Sequence, residues 1–131
     1  MADTAARASY KEGLAFTIKI RGHTLVSDLP PAKGGKDEGP TPPELMVAAL
    51  AACAGIFAAM FARKAGISPE GIEVEAEADT LESPTRLGNF RARIKFPGLP
   101  QEMRERAKAF IGACLVGQTL KRENQVTLEL E

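Results

Sequence analysis

The sequence predicts an α+β fold with mostly antiparallel sheet. Two observations carry this. Short runs of alternating polar and apolar residues lie on both sides of one long segment without charges. The order of segments reads βββ, long α, ββ, α, short α, β. No internal repeat and no second hydrophobic pattern interrupts it, so a length of 131 residues predicts one domain spanning 1–131.

Each element has a local reason. Ala6 to Lys11 and Leu14 to Ile20 flank Glu12-Gly13, a hairpin turn, and Phe16, Ile18 and Ile20 alternate with polar partners. His23 to Asp28 follows as a third strand after Gly22. Leu29 to Pro43 is rich in Pro and Gly and reads as a loop. Thr41 suits an N-cap, Pro42 the first helical position and Glu44 the third place of a capping box. The helix should reach Ala65, with Arg63 and Lys64 favourable at its C-terminal dipole and Gly66 ending it.

Gly71 to Thr80 alternates with Glu73, Glu75, Glu77 and Asp79 on one face. Asn89 to Phe96 alternates with Arg91, Arg93 and Lys95 on one face. Acid opposite base suits cross-strand pairing on a solvated surface. A second helix is expected from Gln101 to Ile111, a short one after Cys114, and a last strand over Gln125 to Glu131.

The totals bound the function. Seventeen basic and seventeen acidic residues leave no net charge and no basic nucleic-acid surface. The start MADTAARASYKEG has no apolar h-region, which predicts a cytoplasmic protein. Two cysteines and one His, without CxxC spacing, argue against a structural zinc site. The cysteines are either two unrelated buried thiols or a redox couple. Leu45 to Ala62 has the length of a short membrane span, but its many alanines make it weakly hydrophobic, and a buried core helix fits better.

Cys53 sits in the middle of this apolar helix. On a helical wheel Met46, Ala49, Leu50, Phe57 and Met60 share its face. The opposite face carries Ala48, Ala51, Gly55, Ala58, Ala59 and Ala62, smooth enough for a second helix and so for a dimer. Apolar surroundings disfavour a thiolate. Cys114, at the start of a short helix, is by local chemistry the better nucleophile. His23 and Tyr10 read as structural, Gln118 and Thr119 as caps, and Lys36-Asp37 as a solvated loop tip or an ion pair at a pocket mouth.

GPTPPELMVAALAACAG followed by ARKAGI resembles the central helix of the OsmC/Ohr family, and ACLVGQTL resembles that family's second cysteine segment. The order of elements agrees over nearly the whole chain. GGKD before the helix resembles a divergent OsmC-like branch. The resemblance implies an intertwined homodimer with sheets around paired central helices. It implies thiol-dependent reduction of small apolar organic hydroperoxides in oxidative stress defence. Cys53 would become a sulfenic acid and Cys114 would resolve it, reversing the local reading. An external dithiol would regenerate the pair, and no metal, bound cofactor, nucleic acid or membrane is implied.

The best-studied family members carry a Glu ten residues before the first Cys, paired with an Arg that activates the thiolate. Pro43 stands at that position here. Glu44 lies about 180° from Cys53 on an ideal helix and reads as a cap. Arg7, Arg21 and Lys36 are the candidate activating cations. The alternative is a small-ligand-binding protein on the same scaffold, without peroxidase activity.

Overall fold

The computed structural model describes residues 2–131. The fold is α+β with antiparallel sheets and one long helix, as the sequence predicts. The chain forms two compact units that meet in sequence at Met46 and Val47.

In the first unit β1 (Arg7–Glu12), β2 (Ala15–Ile20) and β3 (His23–Ser27) form an antiparallel meander in that order. Tyr10 opposite Phe16 makes an edge-on aromatic contact, with centroids 5.7 Å apart. The Pro- and Gly-rich loop that follows is far more ordered than its composition implies. Asp28, only 2% exposed, accepts the N–H groups of Leu29 at 2.7 Å, Lys36 at 3.1 Å and Glu38 at 3.2 Å. Ser27 Oγ donates to the Pro40 carbonyl at 2.8 Å, and Asp37 N–H to the Leu29 carbonyl at 3.0 Å. The chain folds back so tightly that a Cβ on Gly35 would lie 1.9 Å from the Leu29 oxygen.

Helix α1 (Pro42–Ala65) starts at a reciprocal cap. Thr41 N–H donates to Glu44 Oε1 at 2.8 Å, and Glu44 N–H donates to Thr41 Oγ1 at 3.2 Å. The Thr41 amide holds the Glu44 carboxyl below the usual range.

In the second unit β4 (Glu73–Leu81) and β5 (Arg86–Lys95) form an antiparallel hairpin. Glu73 faces Lys95, Glu75 faces Arg93 and Glu77 faces Arg91. The pairs close at 3.3, 3.1 and 3.0 Å, and Arg91 also reaches Asp79 at 3.1 Å. A single 3-10 turn (Gln101–Met103) leads into α2 (Arg104–Gly112), and α3 (Leu115–Leu120) follows. The core holds Ala54, Ala58 and Phe61 of α1 with Ala107 and Ile111 of α2, and Val74, Phe96 and Phe110 pack against it.

Two expectations change. The buried face of α1 is centred on Ala54, Ala58 and Phe61, rotated by about 100° from Cys53. Ala58 and Ala62 of the small-residue face are therefore fully buried within this chain, not left for a second helix. Met46 beside Cys53, and Met60 and Ile56 on its other side, are exposed. The helix is long and apolar enough to cross a membrane, and its buried face builds the core of this unit. The last strand also fails to form. Residues 123–131 have no sheet partner among the described residues, and Val126, Leu128 and Leu130 are almost fully exposed. Their alternation is real, but a strand exists only where a neighbour takes its hydrogen bonds.

Candidate functional site

The two cysteines come from different helices, α1 and the start of α3. Cys53 sits half-buried at the margin of the buried face of α1. Cys114 is the N-cap residue of α3 and only 3% exposed. Its N–H donates to the Ile111 carbonyl at 3.0 Å, and its own carbonyl accepts the Gln118 N–H at 2.9 Å. The corner between α2 and α3 is tied by Gln118 Nε2, which donates to the Gly112 carbonyl at 2.7 Å, while Thr119 Oγ1 donates to the Leu115 carbonyl at 2.9 Å. Both side chains hold backbone.

Both thiols are free, and they interact across 61 positions of sequence. Burial pushes the Cys114 thiol above its usual 9.0, and proximity to Cys53 pushes it the same way. The Gly117 amide, second only to burial, and more weakly Lys121 pull it down without reversing the direction. The Gly117 N–H lies near the sulfur without closing a capping hydrogen bond. Burial works against the expectation that a helix start would favour the Cys114 thiolate. One short helix of six residues offers too little to offset desolvation.

Cys114 also borders an open cleft of about 760 Å³. Leu50 and Ile111 supply apolar lining, β5 forms one wall, and Arg104, Lys108 and Lys121 stand along it. Gly117 touches the sulfur, since a Cβ there would sit 3.0 Å from Cys114 Sγ. Cys53 does not border this cleft.

The three cations named from sequence all belong to the first unit. Arg7 opens β1, Arg21 sits at the β2–β3 turn with φ of 54°, and Lys36 lends its backbone N–H to Asp28. Glu44 is engaged at the helix cap. Within the second unit, the cation whose field reaches Cys114 is Lys121, which the sequence reading missed. Its signal was present. Lys121 lies seven residues after Cys114, two helical turns on and on the same side. Among the described residues no cluster of three or more His, Cys, Asp or Glu could hold a metal.

The comparisons with known proteins agree on the fold. A Psychrobacter arcticus protein described as osmotic stress induced and of the detoxification response is 20% identical with a TM-score of 0.80, covering 91% of this chain and 89% of its own. An organic hydroperoxide resistance protein OsmC of Legionella pneumophila is 22% identical with a TM-score of 0.70, covering 92% and 90%. The organic hydroperoxide resistance protein OhrB of Bacillus subtilis is 20% identical with a TM-score of 0.60, covering 90% and 91%. No curated protein matches the chain significantly. The family model of OsmC-like proteins matches residues 35–129, both cysteine segments included, and the chain belongs to the OsmC-like protein family.

Proposed function

We propose that this chain is a cytoplasmic thiol-dependent peroxidase for organic hydroperoxides, working as one domain in a homodimer. The observation that carries the reading is that two free cysteines so distant in sequence come near enough for Cys53 to help raise the Cys114 thiol. Cys53 is half-buried and so the more accessible of the two, while Cys114 is only 3% exposed. Its thiolate attacks the terminal peroxide oxygen, the O–O bond breaks, and the alcohol leaves after taking a proton. Cys53 is left as a sulfenic acid. Cys114 then attacks Cys53 Sγ, water leaves, and a disulfide forms. An external dithiol reduces it and is itself oxidised to a disulfide.

The cation beside Cys53 comes from Arg7, Arg21 or Lys36 in this reading. Met46, Ile56 and Met60 offer the second copy an apolar surface beside Cys53. The test treats reduced protein with one equivalent of cumene hydroperoxide and maps the cysteines by mass spectrometry. A Cys53–Cys114 disulfide within seconds, and no turnover in Cys53→Ser, is the expected result. Two free thiols after minutes in folded protein would overturn it. That outcome would favour the second reading, an apolar-ligand-binding protein, which Pro43 at the position of the family Glu and the apolar lining of the cleft support.

A further inference from the structure

The cleft and the cysteine pair are not symmetric. Cys114 borders the cleft and Cys53 does not. The cleft is also unbalanced in charge. Arg91 at its wall is already held by Glu77 and Asp79. Arg104, Lys108 and Lys121 have no carboxylate at ion-pair distance among the described residues, and Glu105 is the one acid in the lining. Arg104 and Lys108 are four residues apart on α2, so they share a face with each other. Leu50, Ile111 and Leu120 give the lining room for a short apolar stem. The missing side chain at Gly117 leaves one approach to the sulfur open.

We infer that this cleft receives the reductant, that the reductant is a thiol carrying a negative charge, and that it attacks Cys114 Sγ. The inference rests on the peroxidase reading for its place in the cycle. The reductant thiolate bonds to Cys114 Sγ, the Cys53–Cys114 bond breaks, and Cys53 departs as a thiolate. A second reductant thiol attacks the reductant's own sulfur, releases Cys114, and leaves as the oxidised reductant disulfide. Attack in this direction returns Cys53 in the state that the next hydroperoxide needs. The opposite attack would expel Cys114, whose buried thiolate is a poor leaving group.

The experiment uses the full chain oxidised to its disulfide with diamide, so that it does not depend on hydroperoxide chemistry. Reduction is followed with 2-mercaptoethanesulfonate and with neutral 2-mercaptoethanol. The sulfonate should be faster by on the order of fivefold at low salt, and the advantage should vanish near 1 M salt. In the Arg104→Ala/Lys108→Ala variant the ratio of the two rates should fall to about one, with the fold confirmed by circular dichroism. Rapid quenching and mass mapping should find the mixed disulfide on Cys114. Equal rates in the unaltered protein, a ratio untouched by the double substitution, or an adduct on Cys53 would each overturn the inference. Sulfonate preference in a protein inert to hydroperoxide would sink the peroxidase reading alone. A chain forming no disulfide with either oxidant would sink both.

Discussion

Asp28 and Cys114 are both buried ionisable side chains, and the protein treats them in opposite ways. Asp28 accepts three backbone N–H groups, first among them that of Leu29, and its carboxyl is held below the usual range despite burial. Cys114 has one nearby amide and a distant cation, and burial wins. The difference teaches that burial alone does not set the charge state. The number of donors aimed at the group decides. One site spends its donors on holding a loop in shape. The other leaves its thiol under-supplied, which keeps it protonated until a partner sulfur is ready.

The largest effect should come from removing the acceptor. Asp28→Ala strands the three N–H groups and should lower the unfolding midpoint well below that of Asp28→Asn, which keeps one oxygen; equal midpoints would deny the clamp. Core volume comes next. Ile111→Ala should cost about 2–5 kcal/mol in denaturant unfolding, since the side chain is buried against Ala107 and α1.

The two pH dependences then run in opposite directions. The Asp28 pKa is depressed by folding, so its contribution is complete above 3.8 and lost as pH falls through the native value. The acid limb of unfolding should therefore flatten in Asp28→Asn. The Cys114 pKa is raised by folding, so stability is complete below 9.0 and lost as pH rises through the native value. Alkylation of Cys114 in the Cys53→Ser protein should show a midpoint still above 9.0, because burial remains after the partner sulfur is gone. A midpoint below 9.0 would mean the amide and Lys121 outweigh burial. The smallest effect belongs to the hairpin surface. Arg93→Ala removes one exposed pair with Glu75 and should leave the unfolding midpoint within error.

These contrasts also mark what a sequence can carry. The strands, the long helix and its Thr41–Glu44 cap were legible because periodicity and capping are local. The acid and base rows of the hairpin were legible because side chains alternate with period two. The Leu29–Pro43 stretch was legible as a loop and no further, since its order depends on one carboxylate meeting amides eight and ten residues away. The tail was misread because alternation alone does not supply the neighbour that must take a strand's hydrogen bonds. The environment of Cys114 was misread because burial is set by the fold, which brings Leu50 of α1 to the same cleft from far away in sequence. Arg104, Lys108 and Lys121 gave only ordinary helix-surface signals until the fold put them around one space.

For anyone modifying this protein, the Asp28 clamp reverses an intuition. A stretch so rich in Pro and Gly looks like spare chain, the natural place for a tag or a graft. Its amides are committed, and an insertion between Leu29 and Glu38 would have to pull them off a buried carboxylate. Arg122 and Asn124 still bond back to α3, so a label belongs beyond them, in residues 125–131, which have no sheet hydrogen bonds among the described residues.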